Sequence, residues 1–273
     1  MPKVSGNGLL PRQRHKIILD QLARDGRVLA AGLASELGVT EDMIRRDLRD
    51  LAETGICQRV YGGAVPLSSE STPLVQRIAE HPEQKNALAK LAVSLVTPGQ
   101  TIFLDNGSTN ESIALCLPRN IDLTVVTNAP LIAAALTGRT DLTLLTIGGR
   151  VDPKIGAAVG ASAVRDIQMI RADLCFLGVC AVDAEGGLAA FDPDEADVKR
   201  AFVRSSSSVA IAMMNNKLGT RAPYGVASTA QLSFLIVEQD APAAPVNEFI
   251  HAGVQVLRLE QRLTTTTNPL RYQ

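Results

Sequence analysis

The sequence predicts an α/β protein built from an N-terminal winged helix-turn-helix and a C-terminal domain with a mainly parallel sheet. Two short helical patterns, separated by Gly38 and followed by a glycine-containing ribbon, predict the first domain. Short apolar runs that alternate with helical segments from residue 101 onwards predict the second. A chain of 273 residues, 46% of them hydrophobic, is long enough to form both cores.

These patterns divide the chain into four segments. We expect the winged helix-turn-helix at residues 1–65, a linker at 66–82, the α/β domain at 83–260 and a tail at 261–273. The linker is rich in proline and serine and has no sustained period, and the tail contains four consecutive threonines.

The first two helices of the N-terminal domain have clear start and stop signals. Pro11 suits the first position of a helix that ends at about Asp25, with Ile18 and Leu22 on its inner face. The second helix ends at Gly38, a residue that accommodates the left-handed conformation of a helix C-cap. Its apolar positions recur at helical spacing: Ala30, Leu33, Ala34 and Leu37.

The third helix, at residues 40–53, carries a cationic surface. Thr40 is a suitable N-cap, and Ile44, Leu48 and Leu51 share one narrow sector of the helix. A solvated helix face is one interpretation of the other side, but its position between a glycine turn and a ribbon favours a DNA-binding surface. The residues on that side are Asp42, Arg45, Arg46 and Arg49.

The ribbon at residues 56–65 has the pattern of a small β-hairpin wing. The strand-like alternation of its residues is interrupted at Gly62 and Gly63, where the turn of the hairpin is expected. Arg59 and Tyr61 are therefore near the tip.

The whole segment 12–65 resembles the DNA-binding domain of the DeoR family of bacterial sugar-responsive repressors. The resemblance rests on Val39-Thr40-x-x-Met43-Ile44-Arg45-Arg46-Asp47-Leu48, Leu51-x-x-x-Gly55 and Arg59-x-x-Gly62-Gly63-Ala64. The family usually has Ser where Thr40 stands, a difference that keeps the cap. It usually has Thr where Met43 stands, a difference expected to remove a base or phosphate contact. The resemblance implies a double-stranded DNA operator, contacted by Thr40, Asp42, Met43, Arg45, Arg46, Arg49, Arg59 and Tyr61.

The second domain is predicted to begin with a helix that carries Leu88, Leu91, Ala92 and Leu95 at helical spacing. Continuous apolar runs suit strands that are buried on both faces, so we expect a parallel sheet with helices on either side. The runs lie at 101–105, 123–127, 142–147, 174–178, 209–214 and 232–237, and further helices are expected at 110–117, 130–136 and 194–204.

Polar and glycine-containing loops follow four of these runs. Ligands of such sheets bind outside the carboxyl ends of the strands, so the loops together form a candidate anion site. One such loop alone is more often a plain turn, whereas four favour a function. The loops are Asp105-Asn106-Gly107-Ser108-Thr109, Thr127-Asn128, Gly148-Gly149-Arg150 and Lys217-Leu218-Gly219.

Residues 84–238 resemble the sensor domain of the same family, which is related to ribose-phosphate isomerases. The resemblance implies a Rossmann-like, phosphosugar isomerase-like fold and a phosphorylated sugar or sugar alcohol as effector. Two positions depart from the family pattern: Asn106 replaces the first Ser of the common Ser-Gly-Thr-Thr, and Met214 stands where members usually carry Asp. The implied effector-binding residues are Asp105, Asn106, Gly107, Ser108, Thr109, Thr127, Asn128, Gly148, Gly149, Lys217 and Gly219.

The sequence favours a sensor over an enzyme. An isomerase needs a carboxylate base beside the sugar, and the related isomerases supply acids from a Gly-Ala-Asp-Glu-Ile-Asp stretch. The similar stretch here has Cys180 and Ala181 at the two central acidic positions. Acids at 192–197 and Lys199 form either a lid that reads sugar hydroxyls or a solvated loop. A sugar-phosphate isomerase is therefore the alternative, and a protein-binding winged helix, which the arginine face disfavours, is a third.

The composition sets the remaining expectations. With a net charge of −1, DNA affinity must come from local arginine placement. No run approaches the roughly 18 apolar residues of a membrane span, so we expect a cytoplasmic protein with no membrane partner. Four scattered cysteines and three separated histidines show no ligand spacing, so we expect reduced thiols and neither metal nor cofactor.

Together these features predict a sequence-specific DNA-binding transcriptional regulator that represses a carbohydrate-utilisation operon. One domain offers few base contacts, so we expect a homodimer or homotetramer that binds repeated half-sites. Release and tightening of the operator on effector binding are both compatible with the sequence.

Overall fold

The computed structural model describes residues 9–25, 28–60, 62–66 and 74–258. These residues form a small unit of helices with a three-stranded sheet, followed by an α/β unit around a seven-stranded sheet. The predicted fold class is therefore confirmed, while Tyr61 and the predicted tail at 261–273 lie outside the described residues.

The N-terminal unit has the element order of a winged helix. Its strands pair antiparallel, in the order β1-β3-β2. The first strand is absent from the prediction, because two residues are too few to show a strand period. The elements are α1 (Pro11–Asp25), β1 (Val28–Leu29), α2 (Ala30–Leu37), α3 (Glu41–Glu53), β2 (Cys57–Val60) and β3 (Gly63–Pro66).

The turn between α2 and α3 is fixed by the two predicted caps. Gly38 adopts the left-handed conformation with φ of 65°, and its N–H donates to the carbonyl of Ala34. The Thr40 hydroxyl accepts from the backbone N–H of Met43 at 3.3 Å. The core below this turn includes Ile18, Leu22, Leu33, Ile44, Leu48 and Leu51.

The backbone conformation and packing of the wing explain why residues 62 and 63 are both glycine. A Cβ atom on Gly63 would lie 1.8 Å from the carbonyl oxygen of Val28, so only glycine lets β3 pair with β1 at this point. Gly62 makes the turn with φ of 82°. The predicted hairpin at 56–65 is thus present, with one further strand beside it.

The larger unit is a doubly wound α/β fold. Its helices are α4 (Leu74–Ala79), α5 (Pro82–Ala92), α6 (Ser108–Cys116), α7 (Pro130–Leu136), α8 (Ala161–Gln168), α9 (Pro193–Arg204) and α10 (Ala243–His251). Its strands are β4 (Thr101–Leu104), β5 (Leu123–Thr127), β6 (Leu142–Thr146), β7 (Arg150–Asp152), β8 (Ala157–Val159), β9 (Ala172–Phe176), β10 (Ala181–Asp183), β11 (Gly187–Ala190), β12 (Ser206–Ala212), β13 (Tyr224–Ala227), β14 (Phe234–Val237) and β15 (Gln255–Arg258).

The main sheet is parallel throughout, in the order β15-β14-β12-β9-β4-β5-β6. Helices α5, α6 and α7 pack on one face, and α8, α9 and α10 pack on the other. The six predicted strands are present, and β15 is an additional edge strand. The winding changes direction between β4 and β9, and this switch point is where a sheet of this kind opens a crevice for ligands.

The predicted linker contains more structure than the sequence suggests. Helix α4 and the first residue of α5, Pro82, both fall within 66–82. Leu74 of α4 is 4% exposed and contacts Gly156 in the loop between β7 and β8. The latter part of this segment therefore packs as part of the α/β unit, although its proline and serine content resembles that of a linker.

Within the described ranges, no helix is both long enough and apolar enough to cross a bilayer.

Candidate functional site

The cationic surface of α3 lies where the sequence predicts it. Ile44, Leu48 and Leu51 are buried, whereas Arg45, Arg46 and their neighbours on the opposite face are exposed. Arg45 pairs with Glu41 one turn earlier, at 2.7 Å between Nη2 and Oε1. The exposed side chains of this surface and of β2 are Thr40, Asp42, Met43, Arg45, Arg46, Arg49 and Arg59; their DNA contacts remain a prediction.

One charged residue of α3 points inward instead. Asp47 is 3% exposed, and its carboxylate accepts from Nε and Nη2 of Arg14 at 2.6 and 2.9 Å. This two-pronged pair ties α3 to α1 and sets the orientation of the exposed arginines. This role of Asp47 was not predicted from the sequence, although Asp47 lies three residues after Ile44, in the buried sector.

A group of possible metal ligands surrounds this pair. Ligand atoms of His15, Asp47 and Asp50 lie within 4.8 Å of one another. Since the Arg14 guanidinium already neutralises Asp47, the group has little need of a cation. We assign no metal to it.

The α/β unit contains a cavity at the switch point of the sheet. The loop after β4 forms one wall, the loop after β9 forms another, and α4 and α5 close the side. The lining residues are Arg77, Glu80, His81, Lys85, Asn106, Gly107, Ser108, Thr109, Asn110, Gly178, Val179, Glu195, Lys199, Ala212, Met213, Met214, Asn216 and Lys217.

The loop after β4 turns into α6 beside this cavity. Gly107 precedes the helix with φ of 143°, and Ser108 and Thr109 occupy its first turn. The free N–H groups and the positive end of the helix dipole at such a position favour an anion. Close packing fixes the loop, because a Cβ on Gly178 would lie 1.9 Å from the carbonyl oxygen of Asn106.

Cationic side chains outnumber acidic ones in the lining. Arg77, Lys85, Lys199 and Lys217 are basic, whereas Glu80 and Glu195 are acidic. Lys217 donates to the carbonyl of Val179 at 2.6 Å. An anionic ligand would therefore enter a site of favourable charge.

Lys199 contacts two carboxylates beside the cavity. Its Nζ lies 2.6 Å from Oδ2 of Asp105 and 3.2 Å from Oε1 of Glu195. Burial would lower the pKa of Lys199, but the two carboxylates outweigh it, so the pKa lies above its ordinary value. Burial also raises the pKa of Asp105, and the Lys199 ammonium opposes that shift.

Asp105 is a structural anchor behind the cavity. It is fully buried, and Oδ2 accepts from Lys199 and from the N–H of Gly178 at 3.0 Å. Asn110 donates to the carbonyls of Asp105 and Phe176, each at 2.9 Å. These bonds hold the ends of β4 and β9 together.

The structure divides the predicted effector residues into two groups. Asn106, Gly107, Ser108, Thr109 and Lys217 line the cavity at the switch point. Thr127, Asn128, Gly148 and Gly149 line a separate cavity between the ends of β5 and β6. The structure therefore does not bring all four loops to one cavity, and their joint role in binding an effector stays a prediction.

Two side chains of the second group form hydrogen bonds with the backbone. The Thr127 hydroxyl accepts from the N–H of Ala129 at 3.1 Å, and Asn128 donates to the carbonyl of Ala158 at 3.2 Å. Gly219 belongs to neither lining, and its N–H donates to the carbonyl of Val182 at 2.8 Å. Direct contacts of these residues with an effector remain a prediction.

Several lining residues were not predicted from the sequence. Arg77, Glu80 and His81 belong to a stretch that the composition marks as linker, and Lys85 sits in an otherwise ordinary helix. No local pattern in the sequence identifies them, because the sheet and helix packing bring them to the cavity.

The chain combines a winged helix that exposes arginines with an α/β unit whose cavity has a basic lining. This combination defines a ligand-responsive transcriptional regulator. The DeoR-like helix-turn-helix domain matches residues 14–70, and the DeoR C terminal sensor domain matches residues 80–239. The chain belongs to the DeoR family.

Relatives of similar length support this assignment. The glycerol-3-phosphate regulon repressor of Escherichia coli (strain K12) is 30% identical over 89% of this chain and 97% of its own. The HTH-type transcriptional regulator GlpR of Haloferax volcanii is 33% identical, over 91% and 98%. The HTH-type transcriptional regulator GolR of Listeria innocua is 30% identical, over 91% and 98%.

Proposed function

We propose that this regulator is a repressor whose affinity for its operator is set by a phosphorylated sugar or sugar alcohol. The observation that carries the proposal is the cavity itself, which combines the first turn of α6, the hydroxyls of Ser108 and Thr109, and the ammonium of Lys217. A phosphate can accept hydrogen bonds from the first two and ionic contacts from the third.

The name of one relative agrees with a small phosphorylated ligand, because that relative is called a repressor of the glycerol-3-phosphate regulon. Met214 lines the cavity close to Lys217. Members of the family usually have Asp at this position, which can accept a hydrogen bond from a sugar hydroxyl, whereas Met214 cannot. We therefore infer that the ligand of this protein has a less polar group next to Met214.

The DNA part of the proposal rests on the face of α3. Arg45, Arg46 and Arg49 contact base edges and phosphates in the major groove, while Arg59 of the wing contacts the flanking backbone. One such face reads a short half-site, so the active form is a symmetric dimer or tetramer. A coupling of about 1–3 kcal/mol between the two sites would change operator affinity roughly 5- to 150-fold.

A sugar-phosphate isomerase is the second candidate, because Glu195 places a buried carboxylate at the cavity. That carboxylate already contacts Lys199 at 3.2 Å, and the thiol of Cys180 lies 3.6 Å from both of its oxygens. A base engaged in this way is poorly placed to take a proton from a sugar carbon. The relatives named above are regulators, which also favours the sensor.

A thermal-shift screen tests the proposal directly. Glycerol 3-phosphate and ribose 5-phosphate are compared with glycerol and ribose at equal concentration, together with further phosphorylated sugars and polyols. A phosphorylated ligand at a hundred times its dissociation constant would stabilise the folded chain by about 2.7 kcal/mol. Equal melting temperatures with every phosphorylated compound and its unphosphorylated counterpart would contradict the proposal.

A further inference from the structure

One wall of the cavity comes from the segment that follows the winged helix directly in sequence. Helix α4 contributes Arg77, α5 contributes Lys85, and Glu80 and His81 lie between the two helices. The other walls come from the loops at the strand ends and from α9. The wing ends at Pro66 and α4 begins at Leu74. A change in α4 therefore has a short path along the chain to the DNA-binding unit.

Lys85 holds the end of α4 in place. It is 3% exposed, and its ammonium donates to the carbonyl of Arg77 and, at 2.6 Å, to the carbonyl of Glu80. Carbonyls at the end of a helix lack the regular partner four residues later, and a cation there interacts well with the helix dipole. The carbonyl of Arg77 also accepts from the N–H of Glu80, at 3.3 Å. A helix of six residues such as α4 is too short to be stable without such support.

The same ammonium faces the cavity, in the company of other charges. Burial lowers the pKa of Lys85, the carboxylates of Glu80 and Glu111 oppose this shift, and the cations of Lys217 and Arg77 reinforce it. An anion between Lys85 and Lys217 would relieve both the burial and the repulsion. Lys85 thus has two competing sets of acceptors: the carbonyls of Arg77 and Glu80, and a ligand in the cavity.

The joint between α4 and α5 is a strained residue. His81 has φ and ψ of 50° each, the left-handed region that a residue with a Cβ rarely adopts. Such a conformation persists only while its surroundings enforce it. A rotation at His81 to an ordinary backbone conformation would relieve this strain and change the direction of α4.

We propose that Lys85 couples ligand binding to the winged helix: an anion in the cavity draws its ammonium from the carbonyls of Arg77 and Glu80 and so loosens α4. This inference rests on the proposed function, since it requires a phosphate-bearing ligand. It adds a positioning residue that transmits the presence of the ligand, while Ser108, Thr109 and Lys217 supply the contacts that bind it.

Hydrogen exchange on the full chain tests the coupling. Amide exchange at residues 76–81 is measured with and without saturating glycerol 3-phosphate, in the wild type, in Lys85→Met and in Lys90→Met. Lys90 is an exposed lysine of the same helix, so its replacement is the matched control. In the wild type and in Lys90→Met, the ligand is expected to speed exchange by at least about tenfold. In Lys85→Met, exchange is fast without ligand and does not change with it.

Lys85→Arg is a second variant that retains the charge. It restores slow exchange without ligand and acceleration with it, whereas a residue needed only for packing would give the same result with Arg and Met. Calorimetry with glycerol 3-phosphate on the wild type separates a failure of the Lys85 coupling from a failure of the proposed function. Binding without acceleration at 76–81, or slow ligand-free exchange in Lys85→Met, overturns the coupling and leaves the sensor. Absence of binding by every phosphorylated compound of the thermal screen overturns both.

Discussion

Lys199 of α9 and Asp105 at the end of β4 form an ion pair that lies within the protein, with 2.6 Å between Nζ and Oδ2. Their side chains are 2% and 0% exposed. The pair joins residues that are 94 positions apart and fixes the loop that begins the cavity wall. The two residues depend on each other, because either charge alone would be buried without a charge of opposite sign.

Lys199→Met should therefore destabilise the α/β unit strongly. The change leaves the Asp105 carboxylate buried without its cation, and we expect a loss of about 3–5 kcal/mol in the free energy of unfolding, measured by urea denaturation. The double variant Asp105→Asn with Lys199→Met should lose less than the single one. Lys154→Met, at an exposed lysine, should stay within about 0.5 kcal/mol of the wild type. A Lys199→Met chain as stable as the control would contradict this account of the pair.

Asp47→Ala should destabilise the winged helix in the same way. It leaves the buried Arg14 guanidinium without its carboxylate, and we expect a loss of about 3–5 kcal/mol. Thermal unfolding followed by circular dichroism measures the effect, with Asp50→Ala on the exposed side of α3 as the control. Equal melting temperatures of the two variants would mean that Arg14 and Asp47 contribute no more than a surface pair.

Arg45→Ala with Arg46→Ala should weaken operator binding while leaving the fold intact, because both side chains are exposed. We expect a loss of at least ~1–3 kcal/mol and a shallower dependence of affinity on salt. Fluorescence anisotropy at fixed salt measures the effect, with an operator selected from a random DNA pool. Arg165→Ala, at an exposed arginine of α8, is the control. If the double variant binds as tightly as this control, another surface contacts the DNA.

The purified chain should not convert ribose 5-phosphate to ribulose 5-phosphate. Glu195 is engaged by Lys199, and the stretch that supplies acids in the related isomerases carries Cys180 and Ala181 here. NMR spectra after long incubation should match the buffer control. Turnover that follows the protein through purification and is lost in Glu195→Gln would favour the enzyme instead.

The parts of this molecule that local chemistry specifies were predictable from the sequence. Gly38 and Thr40 define the turn before α3 through their own backbone and hydroxyl, and the apolar runs define the strands. Long-range pairing was not predictable in this way. The short strand β1 depends on Gly63, whose missing Cβ admits the carbonyl of Val28, and a two-residue strand has no pattern of its own.

The candidate site, too, was predictable where local sequence determines it and unpredictable where long-range packing does. The loop at Asn106, Gly107 and Ser108 was predicted because it follows a strand, but strand ends alone do not reveal which loops meet. Thr127 and Gly148 follow strands on the β5 side of β4, whereas the cavity opens on the β9 side. The cations from α4, α5 and α9 arrive through packing, which explains why Arg77 and Lys85 were missed.

The central claim is that a phosphorylated ligand in the cavity at Ser108, Thr109 and Lys217 controls operator affinity. The most direct test measures operator affinity with and without the ligand identified by the thermal screen, in the wild type, in Lys217→Ala and in Ser108→Ala with Thr109→Ala. We predict that all three bind the operator about equally without ligand, and that only the wild type responds to it, by roughly 5- to 150-fold. Normal response midpoints in both variants would contradict the claim and place the effector site elsewhere.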